Sequence, residues 1–334
     1  MKLLCYGASV TAQKFETGYF SQLLESNLNE NFSEIERIAF GASQYEYAGY
    51  AFINDVLEKK PDVCFIDWLT PGMKAFSPFK IDLLNQALLA QNCLPVWGFF
   101  PRVKNFNELP EAYSQVKASA SQYHVPFIDF RTEMPDFPSE PEKYLRDDVH
   151  TTLQGALCYA NKIVTEINDI LPKLPSLIKS ARNSEKYLKF ACEKVNPPSI
   201  RNIGKTIDND NSIEFDFNFP GGLLEVFFET DVGPHMCLTQ FSLFNEEELV
   251  FEHIFNNADP WSHYKRHMVI ETLRKRFPQG NYRLVVKKQS GNPFDEKQTK
   301  KPIEEHWEDH ERFLLIKRAS ISVADFEVKT CKVG

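Results

Sequence analysis

Two rhythms of hydrophobic and polar positions divide the chain. Up to Leu171, short continuous apolar runs alternate with stretches of helical spacing. Lys2–Tyr6, Ile35–Phe40, Val63–Ile66, Leu94–Phe99 and Val125–Ile128 read as strands, and Val63-Cys64-Phe65-Ile66 has the unbroken apolar character of a strand buried on both faces of a parallel sheet. Between them, Phe20, Leu23, Leu24 and Leu28 recur at helical spacing, as do positions within Tyr47–Leu57, Ile81–Leu89 and Leu109–Tyr123. Thr152–Leu171 is a last helix, with Leu153, Leu157, Ala160, Val164, Ile167 and Leu171 on one face. Repeated β-α units at this spacing predict an α/β fold: a three-layer, doubly wound, mostly parallel sheet.

Beyond about Lys186 the rhythm changes. Ile213–Phe219 alternates strictly, the mark of a half-buried strand, and Pro220-Gly221-Gly222 is a turn signal. Leu223–Glu229, Cys237–Phe244, Glu248–Phe255, Tyr282–Lys287, Phe313–Lys317 and Ser320–Val328 continue the series, and only His263–Phe277 has helical spacing. Short strands between turns predict a β-sandwich. The expected organisation is an α/β domain over 1–171, a connector over 172–185 opened by Pro172 and Pro175, and a β-sandwich over 186–334, an accessory or glycan-recognition domain. Asp295–Lys301 reads as a charged, exposed loop.

Composition narrows the class. At 334 residues the chain is long enough for two domains, and 43% hydrophobic with 25% charged residues is ordinary for a globular protein. The 28 phenylalanines suit aromatic-rich strands and large cores rather than disorder. A net charge of -8 and a pI near 5.6 predict no general attraction to nucleic acid or anionic membrane. The seven cysteines at 5, 64, 93, 158, 192, 237 and 331 form no CxxC pair, and several lie inside apolar runs, so they read as reduced core residues. The first apolar run breaks at Gly7, too short for a signal-peptide core, and no run approaches the ~18 residues of a membrane span, so a cytoplasmic location is expected.

The chemistry-bearing stretches lie at the two ends of the α/β half. Gly7-Ala8-Ser9-Val10-Thr11 follows the first strand, and in such sheets the carboxyl edge is where ligands bind. It also reads as a plain strand-end turn. A serine hydroxyl needs a base, usually a histidine, and a carboxylate to fix that histidine's tautomer. His150, in Asp147-Asp148-Val149-His150-Thr151-Thr152, precedes the last helix, whose N-cap is Thr151 or Thr152. That position puts it on the same edge as Ser9. Asp147, three residues earlier, is spaced to reach the imidazole across one turn, and Asp148 is the alternative carboxylate.

These blocks resemble those of the SGNH (GDSL-type) serine hydrolases and acyltransferases over about residues 1–171. The family's Gly-Asp-Ser-x-Thr block is matched by Gly7–Thr11, its second-block glycine by Gly41 in Phe40-Gly41-Ala42-Ser43, and its Asp-x-x-His with a later glycine by Asp147, His150 and Gly155. The resemblance implies a flavodoxin-like sheet order, Ser9 as nucleophile, His150 as base, Asp147 as its orienting carboxylate, and the Ser9 and Gly41 N–H groups as oxyanion donors. Two positions depart from the family. Ala8 replaces the block's Asp, and Ile66-Asp67-Trp68-Leu69-Thr70-Pro71-Gly72 lacks the third block's asparagine, an oxyanion donor, leaving Thr70 or a backbone N–H as its candidate substitute.

Asp67 and Trp68 end the third strand, where they line the pocket or, for Asp67, cap the next turn. Arg102 follows the fourth strand and is a surface arginine or a contact for an anionic substrate or a CoA phosphate. His306 and His310 are four apart, a spacing with which a helical metal site can begin, but no third ligand accompanies them, so no metal is expected. Trp261 and Trp307 are sugar-stacking candidates or core residues. The expected activity is acyl transfer through a Ser9 acyl-enzyme on a small-molecule or glycan ester, with no cofactor. Water as acceptor makes an esterase or deacetylase of an O-acylated carbohydrate. A sugar hydroxyl as acceptor, with acetyl-CoA as donor substrate, makes a polysaccharide O-acetyltransferase. A binding module that has lost catalysis is the alternative of another class.

Overall fold

A computed structural model describes residues 1–70, 75–191, 198–209, 211–256, 258–294, 299–303 and 307–324. Pro71, Gly72, Cys192, His306, Cys331, residues 295–298 of the charged loop and residues 325–328 of the expected last strand lie outside them. The chain divides into two compact units, Met1–Pro197 and Pro198–Gly334.

The first unit has five parallel strands: β1 (Lys2–Gly7), β2 (Glu34–Ala39), β3 (Val63–Asp67), β4 (Leu94–Phe99) and β5 (Phe127–Asp129). Their order, β2-β1-β3-β4-β5, is the flavodoxin-like doubly wound order. Strands β3 and β4 are buried at every position, as parallel strands covered on both faces must be. The helices are α1 (Ser9–Ala12), α2 (Tyr19–Leu24), α3 (Ile53–Lys59), α4 (Pro78–Ala90), α5 (Glu111–Tyr123), α6 (Pro141–Tyr144), α7 (Leu153–Ile170), α8 (Leu174–Arg182) and α9 (Glu185–Ala191). Helix α2 packs on α7, while α4 packs on α3, α5, α8 and α9.

Three details differ from the pattern on paper. The helix expected over 47–57 starts as a π-helical turn, Tyr45–Gly49, before α3. The buried face of α7 is Ala156, Tyr159, Ala160, Ile163, Ile167 and Ile170, whereas Leu153 and Leu157 are exposed. The expected connector is helical and belongs to the first unit, which ends at Pro197 rather than Leu171. Pro172 and Pro175 do not stop the chain, because each lies in the first turn of a new helical segment, where a missing N–H costs nothing.

The second unit contains β6 (Ser199–Ile207), β7 (Ser212–Phe219), β8 (Gly222–Val232), β9 (Leu238–Asn245), β10 (Glu248–Phe255), β11 (Arg266–Phe277), β12 (Gly280–Gln289) and β13 (Leu314–Ala324). They form two antiparallel sheets, β10-β9-β12-β7 and β11-β8-β13-β6. Phe215, Phe241 and Leu284 of the first sheet share one core with Val226, Phe228, Ile270 and Ile316 of the second, which makes the unit a β-sandwich. The stretch His263–Phe277, helical by spacing, is mostly strand β11. A bulge between Glu271 and Leu273 resets the strand's alternation. Ile270, Leu273 and Phe277 therefore all reach the core at intervals that imitate a helix. A second bulge, between Ile316 and Arg318, joins two expected strands into β13. Strand β6 had no counterpart on paper because most of its side chains are exposed and do not alternate.

Candidate active site

Ser9 stands two residues past β1, at the point of the sheet where the strand order reverses direction. The turn is tight. A Cβ on Gly7 would overlap the Thr11 hydroxyl and the Asp67 carbonyl, so only glycine fits at position 7, where β1 gives way to the turn. Ala8 N–H donates to the Asp67 carbonyl at 3.2 Å, tying the turn to the end of β3. Ser9 is partly exposed, and its hydroxyl and N–H have no hydrogen-bond partner among the described residues.

His150 arrives from the other end of the unit on a hairpin-like loop, closed by the Leu145–Thr151 bridge and by Arg146 N–H donating to the His150 carbonyl at 2.9 Å. Thr152 is the N-cap of α7, its hydroxyl accepting from Gly155 N–H at 3.2 Å. A side chain at Gly155 would overlap the Tyr144 carbonyl, so that glycine lets the loop close onto the helix. Asp147 organises the loop tip: one carboxylate oxygen accepts from Val149 N–H at 2.9 Å and from His150 N–H at 2.8 Å, and the other lies 2.9 Å from His150 Nδ1. Partial burial pushes the Asp147 carboxyl up, but the hydrogen bonds from these two N–H groups and the imidazole outweigh it and hold the carboxyl below its usual range. Asp148, the alternative carboxylate, is ion-paired with Arg102 instead. That pair also answers for Arg102, whose guanidinium is engaged with the protein.

Ser9, Gly41 and His150 line one cavity of about 340 Å³, together with Ala12, Gln13, Lys14, Phe15, Thr17 and Arg146. Gly41 follows β2, and no atom lies within 4 Å of where its Cβ would stand, so its backbone borders open space. The Gly41 N–H, like that of Ser9, has no partner among the described residues.

Three expected site positions are corrected. Asp67 and Trp68 are both fully buried and do not line the cavity. Trp68 packs edge-on to Tyr6 in the layer beneath. Asp67 receives the Thr11 hydroxyl at 3.0 Å and that of Thr70 on its other oxygen. Burial pushes its carboxyl up to about 7 against these hydrogen bonds. Thr70 is buried and its hydroxyl is committed to Asp67, so it does not supply the missing oxyanion donor. In the second unit, Trp261 is 43% exposed rather than core, with Lys300 Nζ 3.8 Å from its ring centroid. His310 is exposed in the short turn Asp309–Glu311.

Gln13 is a site residue that the motif did not announce. It is buried, four residues after Ser9, and its amide pairs with the backbone of the residue after His150. Its Nε2 donates to the Thr151 carbonyl at 3.0 Å, and its Oε1 accepts from Thr151 N–H at 3.2 Å. The same Nε2 donates to the Thr17 carbonyl at 2.6 Å, which also accepts from the Thr151 hydroxyl at 2.6 Å. One amide therefore fastens the serine segment to the histidine loop. Nothing in its composition marks a glutamine at the end of a helix for this role, because the partner is 138 residues away.

No family model matches the chain, and no curated protein is similar to it. Solved structures do share its fold. A two-domain esterase active on acetylated mannans aligns at 12% identity over 98% of this chain and 92% of its own, with a TM-score of 0.62. The same description, co-crystallised with mannopentaose, aligns over the same shares with a TM-score of 0.63. An acetyl xylan esterase aligns at 19% identity over 50% of this chain and all of its own, with a TM-score of 0.41. At 12% identity the likeness to the mannan esterase is one of fold, and it extends through both units.

Proposed function

We propose that the protein is a serine esterase of SGNH type that removes O-acyl groups from a carbohydrate. The observation that carries this reading is the single cavity shared by Ser9, Gly41 and His150, with Asp147 bonded to the imidazole nitrogen that would otherwise compete for the serine proton. The blocks at Gly7–Thr11 and Asp147–His150 and the two-unit fold of a mannan esterase support the reaction and the substrate class.

In this mechanism Ser9 Oγ attacks the ester carbonyl carbon while its proton passes to His150 Nε2. Asp147 holds Nδ1–H and stabilises the imidazolium that results. The carbonyl π electrons move to oxygen, and the N–H groups of Ser9 and Gly41, free of other partners, receive the oxyanion. Collapse breaks the bond to the sugar oxygen, which takes the proton from His150 and leaves as the alcohol. Water then attacks acyl-Ser9 through the same base, releasing the carboxylate and restoring the serine. The Ser9 hydroxyl is unbonded in the free protein, and catalytic hydrogen bonds of this kind commonly close only with substrate in place.

A fluorophosphonate probe tests the assignment. The wild type becomes labelled and releases acetate from acetylated oligosaccharides, and Ser9→Ala does neither while keeping its melting temperature. A folded wild type that the probe does not label sinks the reading in favour of a non-catalytic binding module.

A further inference from the structure

We propose that the Lys14–Phe15 turn and Arg146 bind the part of the substrate beyond its ester, a ring that carries a carboxylate or phosphate. This rests on the assignment of Ser9 as nucleophile, and it narrows the substrate from an acyl ester to an anionic one.

Phe15 is 81% exposed and lines the same cavity as Ser9. It also has a left-handed backbone, with φ of 62°. For a bulky side chain that conformation is strained, and the structure around it must hold it there. It does so at almost every carbonyl of the turn. Arg37 donates to the Gln13 carbonyl, Gly18 N–H to that of Phe15, the Gln22 amide to that of Glu16, and the Gln13 amide and Thr151 hydroxyl to that of Thr17. Folding alone would choose otherwise here: asparagine or glycine tolerates the φ, and a polar side chain suits the exposure. A rigid turn that presents an aromatic face to a catalytic cavity is a platform for another ring.

The charges give the ring its class. The chain carries a net charge of -8, yet among the described residues no carboxylate lines this cavity, and two cations do. Lys14 and Arg146 are exposed, and among the described residues neither side chain has a hydrogen bond or ion pair. The other arginines near the site are occupied, Arg37 with the Thr11 and Gln13 carbonyls and Arg102 with Asp148. Glu16, in the same turn, does not line the cavity. Two free cations flanking an aromatic face attract an oxyanion attached to a ring, and the planar fork of Arg146 suits a carboxylate or phosphate in particular.

Matched kinetics test this. Acetylated oligosaccharides of a neutral hexose, of a hexuronic acid and of a hexose phosphate are offered at low and high salt. An exposed ion pair is worth up to about fivefold, so two together favour the anionic ester by up to about 25-fold at low salt and less at high salt. A preference for the hexuronate ester alone identifies a carboxylate ligand, and one for the hexose phosphate ester alone identifies a phosphate. In the double variant Lys14→Ala/Arg146→Ala the ratio of anionic to neutral kcat/KM falls to about one. Phe15→Ala raises KM more than it lowers kcat, Phe15→Tyr restores KM, and Phe15→Asn raises KM without lowering the melting temperature. The proposal is overturned by a wild type that is active but indifferent to charge, by an unchanged ratio in the double variant, or by a wild-type KM in Phe15→Ala. A wild type that neither takes the fluorophosphonate nor releases acetate overturns the Ser9 assignment itself, and this inference with it.

Discussion

The ends of β1 and β3 lie side by side, Gly7 paired with Asp67, and they have opposite fates. Past β1 the chain turns outward and leaves Ser9 bordering a cavity. Past β3 it stays beneath the surface, so that Asp67, Trp68 and Thr70 are all buried. Both ends are carboxyl edges at the topological switch point, where ligands bind in such sheets. A place on that edge thus does not guarantee contact with a ligand. The polar groups behind β3 act as a brace: Asp67 takes the hydroxyls of Thr70 and of Thr11, and Tyr19 OH lies 2.9 Å from that same Thr11 hydroxyl. Thr11 belongs to the turn that carries Ser9, so the closed edge supports the open one.

Four substitutions would break or sharpen this contrast. The largest effect is expected on the open side, where Asp147→Asn lowers kcat by at least about 10³-fold because the imidazole loses the carboxylate that fixes its tautomer. Steady-state kinetics on an acetylated sugar measure it, and a loss under tenfold would pass the role to another group. Next is Gln13→Ala, which releases the histidine loop from the serine segment. A shift of about 1 Å between catalytic groups costs ~10²-fold, so kcat should fall by that order with KM little changed. Faster amide exchange at Thr151 is the accompanying sign, and protected exchange with normal kcat would deny the clamp.

On the closed side the expected effects are on stability. The Asp67 carboxyl titrates near 7 in the folded protein, above its ordinary value of 3.8. The folded state thus holds a proton that the unfolded chain has already released, and Asp67 contributes stability below pH 4 that is lost as pH rises through about 7. Asp67→Asn cannot titrate, so its melting temperature should fall less than the wild type's between pH 5 and pH 8, and parallel curves would contradict the buried titration. The smallest effect is that of Thr70→Val. Loss of one hydrogen bond to a buried acceptor costs about 1–3 kcal/mol of stability, read by denaturant unfolding, with kcat within twofold of wild type. A hundredfold loss of kcat would return Thr70 to the oxyanion hole.

Much of this site was legible because its signals are local. Gly7–Thr11 follows an apolar strand, and Asp147 stands within reach of His150 across a single turn, although Asp148 stayed open as the alternative until its pairing with Arg102 was seen. The five parallel strands were legible for a similar reason, since burial on both faces leaves continuous apolar runs. The misread elements had signals that tertiary context rewrote. The bulge in β11 turned an alternating strand into a helix-like spacing, and Pro172 and Pro175, which do end α7 as expected, also open the further helical segments that replace the expected connector. An isolated Phe15 in the polar stretch Gln13–Thr17 was a visible signal, an apolar residue with no core partner in its own neighbourhood.

By itself, then, the sequence determined the two fold classes and the serine, histidine and aspartate of the candidate site, because periodicity and short-range spacing are properties of the chain. Tertiary structure alone decided which edge residues meet solvent, that Asp148 pairs with Arg102, that Gln13 spans 138 positions to hold Thr151, and that Lys14 and Arg146 have no partner among the described residues and stand beside Ser9. Burial and pairing depend on what other segments bring to the same place, and no local pattern encodes that.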